Sequence, residues 1–195
     1  YHEKSLAIRL KTLGAEHPNV SASYSNLGTV YRSQGNYPKA LEYFEKPLAI
    51  QLETLGAEHP DTANSYNNLG AVYYSQGNYD KAIEYYEKSL AIRLKTLRAE
   101  HPDVGVSYSN LGAVYDNLGD YPKALEYAEK SLAIYKKTLG AEHSLVAKSY
   151  NRLGSVYGSQ GDYPKALEYH EKSLAIRLKT LGAEHPDVAT SYNNL

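Results

Sequence analysis

The sequence predicts an all-α fold, a solenoid of antiparallel helix pairs, and three observations carry that expectation. A motif recurs at a constant step of 42 residues. Each copy holds two stretches of helical periodicity, and Pro, Gly and Asn or Asp sit where those helices must start and stop. The motif reads GAEHP from Gly14 and from Gly56, RAEHP from Arg98, GAEHS from Gly140 and GAEHP from Gly182. The columns Leu27, Leu69, Leu111, Leu153, Leu195 and Tyr1, Tyr43, Tyr85, Tyr127, Tyr169 keep the same register. One array is expected across residues 1–195. It comprises a partial repeat 1–17, repeats at about 18–59, 60–101, 102–143 and 144–185, and a partial repeat 186–195. Neither end carries a polar capping helix, so an excerpt of a longer array, with ends prone to associate, is expected.

Within each copy the first helix, A, opens at Pro18, Pro60, Pro102 or Pro186, where a missing N–H costs nothing. The Asn or Asp that follows is favourable at the positive end of the helix dipole. Gly35, Gly77, Gly119 and Gly161 stop helix A, and Asn36, Asn78, Asp120 and Asp162 are placed to cap the second helix, B. Helix B carries KALEYxEKSLAIxLKTL with Glu and Lys on a solvated side. Two residues oppose the scheme. Pro47 stands inside helix B where the other copies have Ser89, Ser131 and Ser173. It removes the bond to the Tyr43 carbonyl and is expected to kink or weaken the helix by about 3 kcal/mol. Arg98 replaces a stop glycine, so that junction is either strained or closed differently.

The formal charge of −1, from 21 Lys+Arg and 22 Asp+Glu, gives no bulk attraction to nucleic acid or to an anionic membrane. No Cys is present, which removes disulfides and thiolate zinc sites. No apolar run reaches membrane-spanning length, and no signal peptide opens at Tyr1. A cytoplasmic protein is the expectation. The aromatic content is 21 Tyr and one Phe, Phe44. Tyr fills space as Phe does but needs a partner or water for its hydroxyl, which suits a thin fold where every ring lies near an edge.

The copies also separate two stripes on helix A. Tyr24, Leu27, Gly28 and Tyr31 lie at i, i+3, i+4 and i+7 and recur unchanged in the next two copies, so they must pack. Ala22, Ser25, Thr29 and Arg32 form the other stripe. Its counterparts include Asn67, Ala71 and Tyr74, then Ser109, Ala113 and Asp116, then Lys148, Asn151, Ser155 and Gly158. No tightly packed position accepts Arg, Tyr, Asp and Gly in turn, so this stripe is expected to be exposed.

The constant residues Tyr24, Leu27, Gly28, Tyr31, Gly35, Tyr37 and Ala40 resemble the signature of tetratricopeptide repeats, over the whole chain. The long helix B, continued by Leu52, Leu94 and Leu178, and the LGAEHPDV linker are similar to the 42-residue subtype of kinesin light chains. The resemblance implies a right-handed superhelix and a peptide- or protein-binding scaffold whose concave groove is lined by helix A. It also implies that Asn26, Asn68, Asn110 and Asn194 present amides to a bound backbone, with Arg152 breaking the row. Ser25, Asn67, Ser109 and Asn151 extend the polar row, and Arg32, Tyr74 and Asp116 complete the candidate groove. The alternative for the Asn residues is a structural one, bonding neighbouring helices. The Lys/Arg pair with which chaperone-binding relatives hold a carboxylate has no counterpart at Ser25, Asn67, Ser109, Asn151 or at Thr29, Ala71, Ala113, Ser155.

His17, His59, His101, His143 and His185 invite a metal, but a solenoid spaces equivalent residues by a full repeat and they cannot converge. They read as junction residues. No phosphate loop, H-E-x-x-H or G-x-S-x-G is present, so neither an enzyme nor a cofactor is expected. The expected partner is a peptide or protein, with end-to-end self-association as the alternative.

Overall fold

The computed structural model of the chain describes residues 2–195. Among the described residues there are ten helices and no strand. The chain divides into two compact units, Tyr1–Thr96 and Leu97–Leu195. The first holds α1 (His2–Leu13), α2 (Pro18–Ser33), α3 (Tyr37–Thr54), α4 (Pro60–Ser75) and α5 (Tyr79–Thr96). The second holds α6 (Pro102–Asn117), α7 (Tyr121–Leu139), α8 (Ser144–Ser159), α9 (Tyr163–Leu181) and α10 (Pro186–Asn193). Even-numbered helices are helix A and odd-numbered ones helix B. Within each unit consecutive helices pack on one another, and helix A also touches the next helix A, α2 on α4 and α6 on α8.

The five motif histidines start helix A. Each holds an extended backbone, and its Nδ1 accepts the N–H two residues on at 3.1–3.2 Å. Pro at the first helical position of four of these helices has no N–H, so the imidazole takes the first donor available. At the other end Gly35 turns left-handed, with φ +72°. There the Asn36 N–H reaches the Tyr31 carbonyl at 2.9 Å, closing the helix. The Asn36 side chain then accepts the Lys39 N–H at 3.3 Å, capping α3; Asn78, Asp120 and Asp162 repeat the bond. The Arg98 junction closes differently. No described non-glycine residue has a positive φ. The turn is otherwise kept: α5 stops at Thr96 as α3 stops at Thr54, and the His101 N–H bonds the Arg98 carbonyl at 2.8 Å as the His59 N–H bonds that of Gly56 at 3.4 Å.

Helices A and B of one repeat meet over a glycine. A Cβ on Gly28 would lie 2.8 Å from the Phe44 ring, on Gly70 2.7 Å from Tyr86, and on Gly154 2.8 Å from His170. In the third repeat Ala128 replaces the ring, and a Cβ on Gly112 would meet the Ala124 carbonyl oxygen at 3.3 Å. Beside this contact Leu69, Leu111 and Leu153 are fully buried, as are Val72, Val114 and Val156. The tyrosines seal the edge. Tyr31 stacks on Tyr43 with centroids 5.4 Å apart and planes at 11°, Tyr24 leans on the same ring, and the Lys46 ammonium lies 5.1 Å from it. The same group recurs around Tyr85, Tyr127 and Tyr169. Each aromatic pair is worth about 0.5–1.5 kcal/mol beyond its area. Burial raises the pKa of Tyr43, Tyr85 and Tyr169.

Pro47 lies inside α3, which runs unbroken from Tyr37 to Thr54. Its surroundings show what the substitution does. Ser89, Ser131 and Ser173, at the same position of the other copies, are buried and their hydroxyls have no hydrogen-bond partner. Pro47 is equally buried, so it fills the site without an orphaned hydroxyl, which offsets part of the lost backbone bond. An unpaired buried hydroxyl costs about 1–3 kcal/mol. Ser131→Ala is therefore expected to stabilise the protein by about 1 kcal/mol, read as a higher urea midpoint at unchanged slope; a lower midpoint would show that the hydroxyl is satisfied.

Candidate functional site

Helix A presents one face to the packed interior and a second, more accessible face away from it. On α8, Lys148, Asn151, Arg152 and Ser155 lie at i, i+3, i+4 and i+7, so they share that second face, while Val146, Ser149, Leu153 and Gly154 are buried on the first. Ser25, Asn67, Asn68, Ser109, Asn110, Asn151, Arg152, Arg32, Tyr74 and Asp116 are all half-buried, and Asn26 is exposed. The stripe is not exposed throughout, however: Ala113 retains only 7% of its accessible surface.

The asparagine row has two characters. Asn26 and Asn68 make no side-chain hydrogen bond among the described residues. Asn67 and Asn110 are engaged within the fold. The Asn151 Oδ1 accepts from the Asn194 Nδ2 at 2.8 Å and lies 3.2 Å from the His170 Nδ1, which donates to it in the Nδ1–H tautomer. The structural reading therefore applies to part of the row, and free amides remain in the first unit.

Two clefts collect the candidate residues. In the first unit, a cleft of 430 Å³ is lined by Ser25, Ile50, Gln51, Asn64 and Asn68, among others. Its amides are partly used, since Ser65 Oγ donates to Gln51 Oε1 at 2.6 Å and Arg93 Nη2 to Asn64 Oδ1 at 3.0 Å. Its charged lining is acidic, Glu16 and Asp61, with no Lys or Arg. In the second unit a cleft of 290 Å³ has the opposite character. It is lined by Asp116 from α6, Lys148, Asn151, Arg152 and Ser155 from α8, and Arg177 from α9. Arg177 is fixed by bonds from its Nη1 to the Asp187 carbonyl at 3.0 Å and Ser191 Oγ at 2.7 Å. Burial raises the pKa of Asp116, and the Arg152 charge partly opposes this.

Asn26, Arg32, Asn67, Tyr74, Ser109 and Asn110 line neither cleft. Sequence reasoning missed Gln51 and Arg177 on helix B. A signal was available, because their column runs Arg9, Gln51, Arg93, Tyr135, Arg177 amid constant neighbours. No group of three or more His, Cys, Asp and Glu that could hold a metal exists among the described residues. Among them, too, no helix is long and apolar enough to cross a membrane.

The tetratricopeptide repeat family profile matches residues 1–53, 30–95, 61–137, 103–179 and 145–195. The chain belongs to the tetratricopeptide repeat family. Two crystal structures of a Podosopora anserina putative kinesin light chain with nearly identical TPR-like repeats are similar to it. Both are 37% identical; the first covers 92% of this chain and 84% of that one at a TM-score of 0.73, the second 92% and 85% at 0.70. BtubC (BKLC) from P. vanneervenii is similar at 25% identity, covering 100% of this chain and 77% of that one at a TM-score of 0.83. No curated protein matches the chain. This tetratricopeptide repeat protein is thus an all-α solenoid of helix pairs with kinesin-light-chain-like relatives, in a family whose members are generally protein-interaction scaffolds rather than enzymes.

His170, buried beside the second cleft against Asn151, has a measurable consequence. Burial lowers the pKa of His170, and the Arg177 charge adds to the effect. A histidine whose folded pKa is depressed contributes stability that is present above the unfolded value of about 6.5 and lost as pH falls through the folded pKa. His170→Phe copies the residue at Phe44, which packs on Gly28 as His170 packs on Gly154. Chemical denaturation should show wild type losing stability relative to this variant as pH falls from neutral to about 5; the opposite trend would mean that the fold favours the imidazolium.

Proposed function

We propose that the chain is a peptide- or protein-binding scaffold that holds an extended segment along the open face of helix A, in one array of repeats and in a cytoplasmic setting. The observation that carries this reading is the pair of unpartnered amides, Asn26 and Asn68. An amide that is half-buried or exposed and not used by its own fold offers a donor and an acceptor to a peptide unit whatever its side chain. The cleft beside Asn68 supplies Ile50 and Leu55 as apolar contacts and Ser25 as a further polar group. Neither cleft needs a cofactor for such a role.

A second reading, association between copies of the chain, is favoured by apolar side chains left uncovered on α9. Tyr163 is 73% and Leu167 44% exposed, whereas Tyr121 and Leu125 at the same positions of α7 are half-buried. Sedimentation equilibrium separates the two readings, because a species that stays monomeric at all concentrations removes the second.

The groove reading is tested by measuring affinity for peptides selected from an array against wild type and an Asn26→Ala, Asn68→Ala variant. Two lost hydrogen bonds predict about a tenfold weaker affinity with unchanged thermal stability; undiminished binding would refute the reading.

A further inference from the structure

The second cleft holds more positive charge than its own fold neutralises. Lys148 and Arg152 sit one turn apart on α8, a like-charge arrangement that is unfavourable by itself. Neither has a hydrogen bond or ion pair among the described residues, apart from the attraction between Arg152 and Asp116. Arg177 from α9 lines the same 290 Å³ cleft. The second repeat shows how these positions are satisfied elsewhere. There Arg93, the counterpart of Arg177, donates to Asn64 Oδ1 at 3.0 Å, and Asn64 is the counterpart of Lys148. In the fourth repeat the acceptor has become an ammonium, which cannot accept anything. The same exchange occurs one turn on, where Asn68 is replaced by Arg152. Two neutral amides have been exchanged for two cations next to an arginine that is already fixed in place.

We infer that the cleft formed by Asp116, Lys148, Asn151, Arg152, Ser155 and Arg177 is a receptor for a phosphorylated side chain carried by a segment lying along helix A. The charge chooses the ligand. Three cations and Asp116 leave a net charge of about +2, which matches a phosphomonoester of about −1.5 to −2 at neutral pH. A single carboxylate leaves a positive charge unmatched. The guanidinium forks of Arg152 and Arg177 suit the oxygens of a phosphoryl group, Lys148 adds a point charge, and the Asn151 and Ser155 side chains offer further polar contacts. Asp116 repels the anion and sets the affinity below what the three cations alone would give. The exchange of Asn64 and Asn68 for Lys148 and Arg152 places the site in the fourth repeat and not in the second.

The biological source of the phosphoryl group rests on the groove reading above, but its test does not. Phosphoserine blocked at both ends is titrated into the full chain at constant ionic strength, with blocked glutamate and inorganic phosphate alongside, and binding is followed by NMR. The expected result is saturable shifts of the Arg152 and Arg177 side-chain signals, with glutamate at least about tenfold weaker. Lys148→Asn with Arg152→Asn, which installs residues that the second repeat folds with, should abolish the shifts, and Asp116→Asn should tighten binding several-fold. Absence of saturation, an equal response in the double variant, glutamate binding as tightly as phosphoserine, or inorganic phosphate binding where blocked phosphoserine does not, would each overturn the proposal. None of these outcomes depends on Asn26 or Asn68, so failure here and failure of the groove reading remain distinguishable.

Discussion

The close approach of helix A to helix B over a glycine is the contact on which the rest of each repeat depends. Gly28, Gly70 and Gly154 each lie under a ring from helix B, and any side chain there would overlap it. The contact sets the depth to which the helices sink into one another, and so the burial of Leu69, Leu111 and Leu153 beside it. It also fixes the rotation of helix A about its axis. With the glycine face turned inward, residues such as Asn68 and Arg152 are carried to the opposite side. Packing is thereby confined largely to one face of the helix, and most of the second face varies from copy to copy outside the core.

That freedom is visible in the two clefts. They belong to the same kind of repeat, yet one is lined by Glu16 and Asp61 and the other by Lys148, Arg152 and Arg177. The change of sign comes from a few substitutions on surfaces that the core does not use. A scaffold of near-identical units can in this way present chemically distinct stations to a partner, while the formal charge of the whole stays at −1. The balanced total conceals a local imbalance, and local charge is what an ion meets within a Debye length of about 8–10 Å.

Much of the fold was legible because its determinants are local. Pro18, Gly35 and Asn36 mark a start, a stop and a cap within a few residues, and the structure uses each in that way. The capping role of His59 or His101 was not legible, since it needs the extended backbone that aims Nδ1 at the N–H two residues on. The effect of Pro47 was only half legible. Its lost backbone bond follows from chemistry, whereas the orphaned hydroxyls it avoids appear only once Ser89, Ser131 and Ser173 are seen to be buried. At the candidate site the identities of Asn26, Asn68, Arg152 and Asp116 were readable from the changing stripe. Which of them converge was not. Arg177 joins Lys148 from another helix, and no periodicity along one helix can report that.

The packing contact is also where the account is most exposed to test. In a helix interior, replacing Gly by Ala raises stability by about 1 kcal/mol through propensity. Overfilling a packed contact costs about 1–3 kcal/mol. The direct measurement is urea unfolding of Gly70→Ala, where the new Cβ would lie 2.7 Å from the Tyr86 ring, against Gly112→Ala, where no ring intrudes and it would lie 3.3 Å from the Ala124 carbonyl oxygen. Gly70→Ala is expected to be less stable than wild type, and less stable than Gly112→Ala by about 1–2 kcal/mol. Equal stabilisation of both variants would contradict it, because the glycine would then hold no constraint on how the helices meet.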